Sequence, residues 1–492
     1  MNIDTITTLG ALKKAGWKSR SVRDEMRENL LSKLRENGAI FPGIVGYDKT
    51  VVPQIVNAVL SRHHFILLGL RGQAKSRIIR QLHFLLDEYM PVIAGTYLNE
   101  NPYRPISPRA IRMVADMGDD TPIEWKTREE RFHEKLATPD VSIADLIGDI
   151  DPIKAAREKL DISNEEVIHW GIIPRTNRGI FAINELPDLQ PRIQVGLLNI
   201  LEESDIQVRG FPLRVPLDIV LVFSANPEDY TNRGNIITPL KDRIDSQIIT
   251  HYPKTIEEAK SITTSEADIA AAGVVVPEFM RDILEEVTFR ARESEYVDQS
   301  SGVSARVSIS AYENLVSNIE RRCLHSRDRD HVARMGDLYA IIPSVTGKIE
   351  LVYEGEQEGA ILVAQNLIGQ AINKIFLRHF PAPVKGKTSP DAAPVDNPYE
   401  AVVDFFSTGR KLELADDMTY AEYKKALESI AGLRQIVQKY FPVDDERETL
   451  LRMELVLEGL YHNNVIAREE VDSMVRYADI FSDMLKGMGG AR

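Results

Sequence analysis

One cysteine, Cys323, in 492 residues leaves no disulfide framework within the chain and fits a reducing compartment. No unbroken apolar run reaches the roughly 18 residues that cross a bilayer, so membrane insertion is not expected. The first residues, Met1-Asn2-Ile3-Asp4, lack a charged segment followed by an apolar stretch, and no secretory leader is expected. These scarcities together point to a cytoplasmic protein. Excess positive charge is missing too. Sixty Lys and Arg face 74 Asp and Glu, a net charge of −14, which argues against broad binding to nucleic acid or anionic membrane. What remains is ordinary: 43% hydrophobic and 27% charged residues describe a soluble globular chain long enough for two or three domains. No internal repeat is evident.

The most informative stretch is Gly69-Leu70-Arg71-Gly72-Gln73-Ala74-Lys75-Ser76. It follows the strand-like run Phe65-Ile66-Leu67-Leu68 and opens a helical pattern in which Ile78, Ile79, Leu82, Leu85 and Leu86 recur. A glycine-bearing loop between strand and helix, closed by Lys-Ser, has the pattern of a phosphate-binding loop. Its backbone N–H groups point at phosphate oxygens, and the helix start adds positive potential. In that pattern Lys75 reaches the β/γ-phosphates of ATP and Ser76 ligates Mg²⁺. Ala74 departs from it, because glycine is usual there and alanine tolerates positive φ poorly.

Residues 1–40 are charge-rich, with helical spacing, and read as an N-terminal helical extension. From 41 to 254, apolar runs alternate with helical patterns, which predicts an α/β core with a parallel sheet covered on both faces. Residues 255–380 are mostly helical, with a strand-like interruption near 345–359. A proline-rich linker is expected over 381–398 and a helical module over 399–492, the helices of its second half including Val471, Met474, Val475 and Leu485. That module holds 18 acids against 12 bases, a poor balance for reading nucleic acid.

A phosphate loop needs an acidic strand end to support metal and activate water. Gly179-Ile180-Phe181-Ala182-Ile183 ends in Asn184-Glu185, the Walker B arrangement with asparagine in place of the usual aspartate. Glu185 is placed to polarise water, whereas Asn184 offers the metal an amide oxygen without charge. A third strand, Ile219 to Phe223, runs into Ser224-Ala225-Asn226, where Asn226 can orient water or touch the γ-phosphate. Arg243 closes Thr238-Pro239-Leu240-Lys241-Asp242-Arg243.

On these motifs, residues 41–330 resemble the AAA+ ATPases, and among them the magnesium-chelatase I subunit and MoxR-type group. Phe41-Pro42-Gly43-Ile44-Val45-Gly46 is similar to the adenine-side box, and Asn177-Arg178-Gly179-Ile180 and Asp145 to Asp151 are chelatase-like. The resemblance implies that Ile44, Val45 and Gly46 contact the nucleotide. It makes Asn226 sensor 1, Arg306 in Ser304-Ala305-Arg306 sensor 2, and Arg243 the arginine finger, with Arg233 as a competing finger. It also implies a homo-oligomeric ring, as a hexamer, and a partner with a von Willebrand A domain. The stretch 202–216 matches a β-hairpin insert that faces the ring pore in that group.

The leading expectation is thus an ATP-hydrolysing motor that remodels or activates a partner protein. The alternative is a weakly or non-hydrolysing, nucleotide-bound scaffold, favoured by Ala74 and Asn184. An activator of sigma-54 polymerase is disfavoured because its Gly-Ala-Phe-Thr-Gly-Ala loop is absent.

Overall fold

Alternation within short apolar runs builds the first unit. In strands β1 (Phe65–Leu68), β2 (Phe132–Leu136), β3 (Gly179–Asn184), β4 (Ile219–Ala225) and β5 (Ser246–Ile249), successive side chains point to opposite faces. Ile66, Phe181, Ile183, Leu221 and Phe223 join one apolar layer, while Phe65, Leu67, Ile180, Ala182 and Val222 join the other. Each of these larger side chains, taken out of water, contributes ~1.5–3 kcal/mol, and Ala182 less. The strands pair in the order β5-β1-β4-β3-β2, and every pairing is parallel. The parallel sheet covered on two faces is therefore as the sequence pattern implies.

The computed structural model of the chain describes residues 3–159, 165–208, 214–227, 235–270, 273–326, 331–383, 397–471 and 474–480. It divides into two units, Met1–Tyr252 and Pro253–Arg492.

In the first unit, helix α1 (Val22–Arg35) starts at Ser21, whose hydroxyl accepts from Asp24 N at 3.1 Å. Val22, Met26 and Leu30, four residues apart, pack in the same layer as α2 (Val51–Leu60) and α3 (Lys75–Gln81). The stretch read as an N-terminal extension thus supplies part of this unit's core. Helices α4 (Leu198–Glu202) and α5 (Thr238–Arg243) lie on the opposite layer through Ile200 and Leu240. Asp205–Gln207 pairs antiparallel with Arg214–Pro216, so the strands of the expected hairpin form, and its tip lies outside the described residues.

The second unit has one continuous apolar core running from Val276 to Tyr477. Helices α6 (Glu278–Glu293), α7 (Arg306–Ser326), α8 (Ala360–His379) and α9 (Glu446–His462) contribute to it, and so do residues on both sides of the proline-rich stretch. Two assignments made from periodicity differ. Ala467–Val471 and Met474–Ala478 are antiparallel strands, joined by Leu412–Ala415 into a three-stranded sheet, where helices were expected. Val471, Met474 and Val475 fit helical spacing while Val475 and Tyr477 fit the alternation of a strand, and over so short a run cross-strand pairing decides. The stretch near 345–359 is helical at both ends, with only Leu351 bridged to Val297. Helix α8 has the length and apolarity of a membrane span; Val363, Leu367, Ile368 and Ile375 on it are buried in the unit's core.

Candidate functional site

The loop after β1 is held from three sides. Gly69 N donates to Ala225 O at 3.1 Å, which ties the loop to the end of β4. Beyond β5, Thr250 N donates to Leu68 O at 2.8 Å, and the Thr250 hydroxyl donates to Gln73 Oε1 at 2.7 Å. A Cβ at position 69 would collide with both Thr250 Oγ1 and Gln73 Oε1, so only glycine fits. The Tyr47 hydroxyl reaches His251 O at 2.6 Å and Gln73 O at 3.0 Å. Burial pushes its pKa up to about 12, so it stays a donor. Ile44, Val45 and Gly46 lie half-buried immediately before this tyrosine.

Two residues of the loop are left-handed: Gly72 at φ +73° and Ala74 at φ +56°. Glycine adopts this region freely, whereas alanine pays ~1–2 kcal/mol for it. The Ala74 departure therefore sits at a position where glycine's freedom is needed. Lys75 follows as the first residue of α3, buried, its Nζ donating to Gly69 O and, at 3.0 Å, to Leu70 O. Its ammonium thus lies within the curl of the loop. Arg71, Gly72 and Ser76 are exposed.

Strand β4 lies between β1 and β3, so the ends of all three strands meet at one edge of the sheet. Ser224 Oγ donates to Asn184 Oδ1 at 3.0 Å and accepts from Glu185 N at 3.3 Å. On its other side Asn184 Nδ2 stands 3.5 Å from Glu134 Oε2, a carboxylate that also pairs with Arg80 at 2.7 Å. Asn184 is therefore oriented by a hydroxyl donor and a carboxylate acceptor. Glu185 leaves the strand at φ +55° and is half-buried, as is Asn226 beyond β4. Ser76, Asn184 and Glu185 offer oxygen donors only, a set that suits Mg²⁺ held largely by water and phosphate.

Arg243 lies elsewhere. It closes α5 three residues before Ser246, which pairs with Phe65 at the start of β1, so it stands toward the opposite edge of the sheet from the loop. Its guanidinium pairs with Glu202 at 2.7 Å and donates to Pro239 O at 3.0 Å. Arg233 lies outside the described residues. Arg306 is the exposed first residue of α7 in the second unit.

Four residues that shape the site were not read from the sequence. Tyr47 and Ser224 had a local signal, since one directly follows Ile44-Val45-Gly46 and the other directly precedes Ala225-Asn226. Thr250 and Glu134 had none, because they arrive through strand pairing.

No protein-family model matches the chain. Among curated proteins, the hydrogenase transcriptional regulatory protein HoxA of Cupriavidus necator is 30% identical over 87 residues, 17% of this chain and 18% of that protein. The match thus spans under a fifth of that relative's length. Among solved structures, a complex of the magnesium-chelatase subunits BchI and BchD overlaps with a TM-score of 0.33 at 18% identity, covering 64% of this chain and 98% of that one. NtrX of Brucella abortus overlaps with a TM-score of 0.35 at 15% identity, over 70% and 66% of the two chains. A RuvB variant of Thermotoga maritima gives 0.31 at 11% identity, over 74% and 78%. These overlaps are loose, and the fold rests on strand order and loop geometry. A parallel sheet in the order β5-β1-β4-β3-β2, with the glycine-bearing loop after β1, Asn184-Glu185 after β3 and Asn226 after β4 at one edge, is the α/β core that the sequence pattern implies.

Proposed function

We propose that this chain is a Mg²⁺-dependent ATP hydrolase that works as a ring, hexameric by resemblance to the magnesium-chelatase and MoxR group, and remodels or activates a partner protein. The observation that carries the reading is the shared sheet edge where the loop, Asn184-Glu185 and Asn226 meet. Lys75 would turn from the Gly69 and Leu70 carbonyls to the β/γ-phosphates, a short swing for a flexible ammonium. Ser76 and Asn184 would hold Mg²⁺, which neutralises phosphate charge when bound. Glu185 would accept the proton of the attacking water while Asn226 orients that water. Arg306 would act as sensor 2, and Ile44, Val45 and Gly46 would border the adenine.

The position of Arg243 favours a ring. An arginine toward the far edge of its own sheet serves a γ-phosphate only if that phosphate belongs to a neighbouring subunit. Supplied in trans, such an arginine is worth ~10³–10⁵ in rate in other nucleotide hydrolases. The partner with a von Willebrand A domain, and the cytoplasmic setting, rest on the resemblance and the composition respectively. A second reading, the weakly hydrolysing scaffold, draws on Asn184, which brings no charge to the metal.

The test is subunit mixing. Lys75→Ala and Arg243→Ala proteins should each be nearly inactive, and equal mixing should rebuild roughly a quarter of interfaces. No recovery despite demonstrated exchange would remove Arg243 from the shared site and make Arg233 the next candidate.

A further inference from the structure

Strands β3 and β4 begin at the edge of the sheet opposite the loop, and a cleft of about 420 Å³ opens there beside Asn177, Arg178 and Asp218. Arg178 is only 4% exposed and sits at φ +59°, a strained backbone for a residue of its size. Its Nη1 donates to Pro91 O at 2.9 Å and comes within 3.5 Å of Asn99 O, and its guanidinium stands 5.7 Å from the Trp17 ring. Among the described residues, Nε and Nη2 donate to no protein acceptor and Arg178 makes no ion pair.

Its neighbour Arg131 shows what a structural arginine looks like in this core. Arg131 is fully buried; its Nη1 and Nη2 pair with Glu25 at 2.8 and 2.7 Å, and its Nε and Nη2 donate to Arg178 O at 2.9 and 2.8 Å. The carboxylates nearest Arg178 are engaged elsewhere. Glu25 holds Arg131, Glu100 accepts from Ile106 N and Ser107 N, and both Asp218 oxygens accept from Val22 N, at 3.1 and 2.9 Å. Burial, with Arg131 adding to it, pulls the Arg178 guanidinium down to about 10. Asp218, Glu25 and Glu100 attract the guanidinium from nearby, but a buried cation with no carboxylate in salt-bridge contact is still costly to keep.

A second cation lines the same cleft. Arg104 is exposed and makes no ion pair among the described residues, whereas Arg20, also in the lining, is held by Asp87 and Glu28. Ser19, whose hydroxyl accepts from Asn101 Nδ2 at 2.6 Å, has its own proton to give. Two arginines and a hydroxyl lining one cleft make up the donor set that recognises planar or tetrahedral oxyanions.

We infer that this cleft binds a small molecule carrying a phosphate or carboxylate group between Arg178 and Arg104, at a site separate from the nucleotide loop. The Asn177-Arg178-Gly179 motif then has a task of its own: Arg178 lines the cleft, and Gly179 is needed beside it because a Cβ there would strike Arg131 O.

The experiment titrates the full chain carrying Lys75→Ala, which removes phosphate capture by the loop, with pyrophosphate and, separately, with citrate. Binding is read by calorimetry and by the shift in thermal unfolding. At least one anion should bind and raise the unfolding temperature. Pyrophosphate alone would identify phosphate as the recognised group, and citrate alone would identify carboxylate. Adding Arg104→Glu, an exposed change that leaves the core untouched, should weaken that binding at least ~10-fold. Arg178→Gln should do the same, and Arg104→Glu decides the matter if Arg178→Gln fails to fold. No binding of either anion to the Lys75→Ala chain, or binding indifferent to Arg104→Glu, would overturn the inference.

Discussion

Two single-methyl changes, five residues apart in one loop, should move stability in opposite directions. Ala74→Gly removes a Cβ from a residue held at φ +56°, ψ +12°. The left-handed strain relieved is ~1–2 kcal/mol. Glycine returns part of that by making the unfolded chain more flexible, ~0.4–1 kcal/mol. The net expectation is a gain of about 0.5–1 kcal/mol, or ~1–4 °C for a unit of this size. Gly69→Ala adds a Cβ where Thr250 Oγ1 and Gln73 Oε1 already stand, and breaks the hydrogen bond between them. Overpacking of this kind costs ~1–3 kcal/mol. Thermal unfolding of wild type and both variants, followed by circular dichroism, reads the two signs side by side. ATP titration of the same proteins should show tighter binding for Ala74→Gly and weaker binding for Gly69→Ala. A lower unfolding temperature for Ala74→Gly together with a neutral Gly69→Ala would refute the loop geometry described above.

The remaining predictions concern charge and partners. Asn184→Asp sets a second carboxylate beside Glu134, 3.5 Å from the present amide nitrogen, so stability without Mg²⁺ should fall by roughly 1 kcal/mol. Mg²⁺ with ATP should reverse that loss and preserve or raise turnover; an equal loss with and without Mg²⁺ would remove Asn184 from the metal site. Buried His64, which accepts from Leu221 N at 2.9 Å, has its pKa lowered to about 3, chiefly by desolvation. The unfolded chain takes a proton there below about 6.5 and the folded chain does not, so stability is full above that pH. It should fall by ~1.4 kcal/mol per pH unit between about 6.5 and 3, and His64→Gln should flatten the slope. A pull-down from the native cell should recover a von Willebrand A domain protein, and recovery of nucleic acid or ribosomes alone would count against the proposed partner.

The parts of the site legible in the sequence are those built by neighbours in the chain. Phe65–Leu68, Gly179–Asn184 and Ile219–Ala225 are unbroken apolar runs, and each ends in residues whose chemistry is local: the loop, Asn184-Glu185, and Asn226. The supports were less legible. Thr250 reaches Gln73 only because β5 pairs with β1, and Glu134 reaches Asn184 only because β2 pairs with β3. Which distant strands become neighbours in a parallel sheet is not given by the spacing within each strand. The stretch 467–478 differs from its expected helix for a related reason, while Leu485 lies outside the described residues. Short runs such as Met474–Ala478 satisfy helical and strand periods alike, and the partner strands Ala467–Val471 and Leu412–Ala415 settle the choice. Arg178 stood in a quoted motif, yet its unpaired donors became visible only beside Arg131.

The most direct measurement is steady-state ATP hydrolysis, with and without Mg²⁺, for wild type and Glu185→Gln, paired with ATP affinity of the same proteins. Glu185→Gln keeps the size of the side chain and removes the carboxylate that accepts a proton from water. The account predicts Mg²⁺-dependent turnover by wild type, unchanged ATP affinity in the variant, and a loss of turnover of ~10²-fold or more. Wild type that binds no ATP, or a variant that hydrolyses ATP at the wild-type rate, would contradict it.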